Sequence, residues 1–211
     1  MLKGLFIKFV PEYLLWAYRR SDFYHNKLVK LWESPDNSHL IKEKSIIELQ
    51  EKFNYDIFIE TGTLQGEMVY KLNNYFKNLI TIELEMNLFH SAKRRLRNYS
   101  KIEFFHGDSG KILPEIISKI KSPCIFWLDA HYSGGSTALG EKETPIEEEL
   151  NAILSQQLNH IILIDDASYF GNPAYPEYPE IKKISNLVIS KKPEYNFEVC
   201  NDVIKVYKNI L

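Results

Sequence analysis

Ile57-Phe58-Ile59-Glu60-Thr61-Gly62-Thr63-Leu64-Gln65-Gly66 is the stretch from which the fold is read. A short apolar run meets an acid, and two glycines follow four positions apart. Leu64, Met68, Leu72 and Phe76 then recur every fourth residue, as on one face of a helix. Strand, glycine turn and helix together present backbone N–H groups to a ligand, and glycine lets the backbone come close because it has no Cβ. The same glycines also suit a plain turn. The reading therefore depends on what recurs downstream.

Leu79-Ile80-Thr81-Ile82-Glu83-Leu84 reads as a second strand with an acid near its end, about 20 residues after the glycine turn, where an acid can accept from both hydroxyls of a ribose. A helix is expected from Glu85 to Tyr99, with Leu88, Ala92, Leu96 and Tyr99 on one face. Ile102 to Ser109 is a third strand running into a polar turn, in which Asp108 and Ser109 either meet an adenine or cap a helix through Ile112, Ile116 and Ile120. Pro123 to His131 reads as a fourth strand, apolar almost throughout, as a central parallel strand should be; it ends in Asp129 and His131, and the glycine-rich Tyr132 to Thr137 follows. The next helix is expected to begin with Thr144 as N-cap and Pro145 in the first turn, so most of Glu141 to Glu149 reads as helix-start charge. His160 to Asp166 reads as a fifth strand, again apolar and again ending in acids, Asp165 and Asp166. Tyr169 to Pro179 is a loop, Ile181 to Ile189 a helix, and Tyr195 to Cys200 with Val203 to Tyr207 a closing hairpin.

Upstream, residues 1–40 read as a helical extension and 41–211 as the main domain, with Ser34 to Ser38 as loop and a helix over Ile41 to Phe53. Met1 to Trp32 is aromatic and carries six basic residues against two acidic ones, which suits packing on the domain or a second subunit, a lid, or a membrane-surface face. A homodimer and peripheral membrane contact follow as expectations. Over the whole 211 residues the formal net charge is -2, so no nucleic-acid partner is expected. The two cysteines, Cys124 and Cys200, have no metal-type spacing and call for no disulfide. With no run of about 18 apolar residues and no signal-peptide pattern, a cytoplasmic location is expected.

Five strands alternating with helices, then a hairpin, define an α/β sheet that is parallel in its main part. Ligands of such sheets bind outside the carboxyl ends of the strands, and here each strand ends in a polar or glycine group. In that series the chain resembles the class I S-adenosylmethionine-dependent methyltransferases over roughly residues 55–207. Glu60 to Gly66 resembles that family's cofactor loop, Thr81 to Leu84 its ribose-binding strand end, and His106-Gly107-Asp108-Ser109 its adenine turn. The resemblance implies a Rossmann-like seven-stranded mixed sheet of order 3-2-1-4-5-7-6. It implies cofactor contacts from Glu60, Thr61, Gly62, Thr63, Gly66, Glu83, Asp108, Ser109 and Asp129. A dinucleotide-binding dehydrogenase would prefer Gly-x-Gly-x-x-Gly, and a Walker A loop is excluded for lack of Gly-Lys-Ser/Thr.

Asp129, Asp165 and Asp166 end neighbouring strands, and three carboxylates in one cleft repel unless a cation joins them. Hard oxygen donors suit Mg²⁺, with Mn²⁺ or Ca²⁺ as alternatives. The pattern is similar to the metal-dependent catechol and sugar O-methyltransferases, which implies these three as metal ligands. Two vicinal oxygens of an acceptor would then chelate the metal, and a base would take the proton. His131 is the first candidate base, with Asp129 beside it, and the competing role for His131 is to hydrogen-bond a residue that itself holds the metal or substrate. Catechol enzymes place a lysine shortly after the strand-four Asp, whereas His131-Tyr132-Ser133-Gly134-Gly135 contains none, which favours a sugar, glycan or polyol hydroxyl. Tyr132, Thr137, Tyr169 and Tyr175 are candidates to line the acceptor pocket. The alternatives are an NAD(P)-binding oxidoreductase and a non-catalytic scaffold on the same fold.

Overall fold

A computed structural model describes residues 37–130 and 144–209. The expectations for the N-terminal extension, and for His131, Tyr132 and Thr137, lie outside the described residues. Among these residues the chain runs α1 (Asn37–Phe53), β1 (Ile57–Thr61), α2 (Glu67–Leu72), β2 (Asn78–Glu83), α3 (Met86–Arg95), β3 (Ile102–His106), α4 (Ser109–Lys119), β4 (Cys124–Leu128), α5 (Ile146–Leu154), β5 (Ile161–Ile164), a 3-10 turn (Ala167–Tyr169), α6 (Ile181–Lys191), β6 (Asn196–Cys200) and β7 (Val203–Tyr207).

The strands form one seven-stranded sheet of order β3-β2-β1-β4-β5-β7-β6, as the resemblance implied. β1 to β5 are parallel, and β7 returns antiparallel to β5 and pairs with β6. Side chains alternate across a strand, so each buried strand feeds two cores. One core holds Ile59, Phe126, Leu128, Ile162 and Ile164 against Leu113 and Ile117 of α4, Leu150 and Ile153 of α5, and Ile184 and Val188 of α6. On the opposite face Phe58 meets Phe76 at 5.2 Å between ring centroids, and Phe53 of α1 meets Tyr207 edge-on at 5.7 Å.

The four-residue repeat after the glycine turn does not form one long helix. Leu64 sits in the turn with φ +48 and is 48% exposed, α2 spans six residues, and Phe76 is buried beyond its end. The left-handed Gly66 at the N-cap starts the helix only after Leu64 has turned away. α1 begins earlier than expected, taking in Asn37 and Ser38; Asn and Ser favour both loops and helix starts, so composition does not separate the two. Pro145, not Thr144, is the N-cap of α5, with no side-chain cap bond.

Parallel pairing sets the carboxyl ends of β1 to β5 along one edge, and that edge is where the site is assembled. Phe126, fully buried on β4, anchors the middle of the sheet. Phe126→Ala is expected to lower unfolding free energy by about 3–5 kcal/mol, read as a lower urea midpoint with unchanged slope.

Candidate functional site

The glycine turn is bound to its neighbours by hydrogen bonds. Gly62 N donates to Ile82 O at 3.0 Å, and Asp129 N donates to Thr61 O at 3.1 Å. Gly62 has φ +86, and a Cβ there would stand 2.3 Å from the carbonyl oxygen of Asp129. The glycine is therefore required by the close approach of the β4 end to the turn. Gly66, at φ +82, is similarly closed off by the Leu96 side chain 2.8 Å from its virtual Cβ.

Glu83 closes the other side. Its Oε2 accepts from Leu64 N and its Oε1 from Glu85 N, both at 2.8 Å, so the carboxylate spans the glycine turn and the start of α3. A carboxylate accepts through both oxygens, the chemistry a pair of ribose hydroxyls needs. Burial raises the Glu83 carboxyl above its ordinary range, and the backbone N–H groups of Glu85, Leu64 and Leu84 pull it back. Glu60 is 2% exposed and accepts from Thr81 Oγ1 at 2.6 Å, while Thr63 Oγ1 lies 2.6 Å from Thr81 Oγ1. Burial pushes Glu60 well up, and the charges of Asp129 and Glu83 add to it. Asp108 caps α4 by accepting from Gly110 N at 3.0 Å, the cap alternative open at this position, and Ser109 is buried as the first residue of that helix.

At the ends of β4 and β5 the cation between the acids is a side chain of α1. Lys42 Nζ lies 2.6 Å from Asp165 Oδ1 and 3.6 Å from Asp166 Oδ1. Asp165 Oδ1 also accepts from Asp166 N at 2.8 Å. Asp166 stands in the left-handed region with φ +53. Burial lowers the Lys42 ammonium, but its hydrogen bond to Asp165 and the charges of Asp165, Asp166 and Asp129 leave it raised overall. Asp165 is pushed up to about 7, by burial first and the neighbouring Asp129 next, against the pull of Lys42. The donors are the hard oxygens a divalent ion favours, but Asp165 Oδ1 is already engaged twice. Among the described residues no group of three His, Cys, Asp or Glu side chains is gathered closely enough to hold an ion. The arrangement does not fit a bound metal as it stands.

Sequence reasoning missed Lys42, which has no motif around it, and Glu149, which reads as helix-start charge. Glu147 behaves as such and pairs with Lys183 at 2.6 Å. Glu149 is 1% exposed, and its Oε1 makes no hydrogen bond among the described residues. Burial pushes it up to about 7, with Asp108 and Glu148 adding and the nearby Ser109 and Thr61 hydroxyls opposing. It lines a small cavity with Asp129, Thr144, Asp165, Phe170 and Tyr178 at the ends of β4 and β5. Tyr169 stacks on Tyr175 at 3.9 Å and meets Tyr178 edge-on at 5.4 Å, so its ring is committed to an aromatic cluster beside Asp166.

Strand order and the acid-lined carboxyl edge define the class I S-adenosylmethionine-dependent methyltransferase fold. The solved structures that resemble the chain agree. A caffeoyl-CoA O-methyltransferase from Staphylococcus aureus, so described provisionally, is 16% identical, with a TM-score of 0.57 over 94% of this chain and 98% of that one. An O-methyltransferase from Bacillus cereus in complex with SAH is 14% identical, with a TM-score of 0.57 over 89% and 92%. The 23S rRNA methyltransferase ErmE is 12% identical, with a TM-score of 0.55 over 83% and 69%. No protein-family model matches the sequence, and no curated protein matches it significantly.

Gly62→Ala combines a positive φ with a backbone clash, so it is expected to destabilise by at least about 1–3 kcal/mol, read as a fall in Tm. Glu149 gives a pH signature. Its folded pKa of about 7 lies above the ordinary value of 4.5, so the folded state binds the extra proton and the parent loses stability as pH rises between them. Glu149→Gln is expected to match the parent near pH 4.5 and to exceed it by about 1–3 kcal/mol above pH 7, measured by urea unfolding across pH.

Proposed function

We propose that the protein is an S-adenosylmethionine-dependent O-methyltransferase acting on a hydroxyl of a sugar, glycan or related polyol. The observation that carries the reading is the Glu83 carboxylate bonded to Leu64 N across the glycine turn, while Gly62 backs on Asp129. These contacts support reading Glu83 as a ribose-type acceptor, the glycine turn as a backbone cradle and the acid-lined strand ends as the reacting side, on a methyltransferase fold.

In this reading Glu83 accepts from the ribose hydroxyls, and Asp108 and Ser109 border the adenine. Glu60, Thr61, Gly62, Thr63 and Gly66 form the cradle, with the Thr63–Thr81–Glu60 hydroxyl chain keeping it rigid. S-adenosylmethionine supplies a sulfonium methyl group when bound. Asp129 stands between cofactor and acceptor sides in this reading, and His131, two residues on, would take the proton from the acceptor hydroxyl as its oxygen bonds to the methyl carbon and the carbon–sulfur bond breaks, releasing S-adenosylhomocysteine. Tyr132, Thr137 and Tyr169 border the acceptor. A divalent cation at Asp129, Asp165 and Asp166 belongs to this reading only after Lys42 has left Asp165. The sugar preference rests on the absence of a lysine from residues 130–140. Among the described residues no helix is long and apolar enough to cross a membrane.

Calorimetric titration with S-adenosylhomocysteine tests the cofactor. Binding is expected in the parent, and Glu83→Ala should weaken it at least about 10-fold, since a hydrogen bond to a charged group contributes about 1.5–3 kcal/mol. A folded parent that binds NAD or NADP and not S-adenosylhomocysteine would support the oxidoreductase instead, and one that binds neither would leave the scaffold. Methyl transfer to a panel of free and nucleotide-linked sugars tests the acceptor. His131→Ala is expected to lower kcat by about 10²–10⁴ with product affinity unchanged.

A further inference from the structure

The acids at the ends of β4 and β5 already have a cation, and it comes from the chain. Lys42 reaches from α1 to Asp165 Oδ1 at 2.6 Å and to Asp166 Oδ1 at 3.6 Å. The pair is largely removed from water, with side-chain exposures of 17% for Lys42 and 6% for Asp165. A buried ion pair of this kind is not a loose surface contact, because breaking it leaves an uncompensated charge. Asp165 Oδ1 also holds the N–H of Asp166, which fixes the left-handed turn at that residue.

A divalent ion and an ammonium group cannot share that oxygen cheaply. An ion coordinated there sits about 2.0–2.6 Å from the oxygen, which puts it against the ammonium with like charge. Three acids and one lysine still leave the group negative, so a further cation is attracted but meets an occupied ligand. We propose that Lys42 is the resident counter-cation of Asp165 and Asp166, and that a divalent ion enters this carboxylate group only by displacing it. Lys42 is thus a positioning residue that determines how readily the acceptor side takes a metal. The inference deepens the reading above and rests on it only for the expectation that a divalent ion reaches these acids.

The test uses the full chain and Mn²⁺, with bound ion counted by electron paramagnetic resonance. Lys42→Gln and Lys42→Met remove the charge, the second keeping an apolar stem, and Lys42→Arg keeps the charge. The two neutral variants are expected to bind Mn²⁺ at least about 10-fold more tightly than the parent, since 1.4 kcal/mol is tenfold and removing a like charge exceeds that. Lys42→Arg should stay as weak as the parent, and Asp165→Asn added to either neutral variant should abolish the gain. Unchanged Mn²⁺ affinity in the neutral variants, or a gain that survives Asp165→Asn, overturns the inference. A second measurement needs no substitution. Saturating Mn²⁺ should speed amide hydrogen exchange in residues 39–46 of the parent, because a displaced Lys42 no longer ties α1 to β5; unaltered exchange overturns the inference equally. S-adenosylhomocysteine affinity is measured on the same samples. Its absence alongside the expected Mn²⁺ ranking would remove the methyltransferase reading and leave the role of Lys42 standing.

Discussion

Five carboxylates crowd one edge of a parallel sheet, and the site depends on how each is kept from an unpaired burial. Glu60 has a threonine hydroxyl, Glu83 has backbone N–H donors, Leu64 and Glu85 among them, and Asp165 has Lys42 with the N–H of Asp166. Asp129 and Asp166 complete the row. Burying an ionised carboxylate is expensive unless it is paired and hydrogen-bonded, so these partners are as necessary as the acids. The parallel order of β1 to β5 causes the crowding, because all five strands end on the same side. The same crowding gives that edge a negative field suited to a sulfonium or an ammonium ligand.

The glycine turn transmits this arrangement from strand to strand. Gly62 leaves the space that the Asp129 carbonyl fills, so the glycine turn and the end of β4 are joined backbone to backbone. Glu83 then clasps the turn from β2. A displacement of β4 would move the turn, and a change at Glu83 would loosen it. The three strand ends therefore act as one unit.

Much of the fold was legible because burial has a period. The apolar runs Ile57 to Ile59, Pro123 to Leu128 and Ile161 to Ile164 read as buried parallel strands, and the structure places all three at the centre of the sheet. Glu83, Asp165 and Asp166 were legible as strand-end acids because each closes an apolar run or lies within two residues of its end. The helix after the glycine turn was misread for a physical reason. A four-residue repeat through Leu64 and Phe76 is satisfied equally by one helix or by a short helix between two turns, and the left-handed backbone at Leu64 and Gly66 selects the second.

Local patterning alone determined the strand and helix series and the acids that close each strand, since hydrophobic period and turn residues act over a few neighbours. It left open which cation stands among Asp129, Asp165 and Asp166, and which glutamate of α5 points inward. Folding settled both. Lys42 lies more than a hundred residues from Asp165 in the chain, and no spacing rule links them; α1 packing beside the sheet brings the ammonium to the carboxylate. Glu149 differs from Glu147 only in the face of α5 it occupies, and the docking of α5 on the sheet turns one toward Lys183 and the other into the interior. Partners that meet only across packed elements are set by three-dimensional proximity, and proximity of that kind has no local signature.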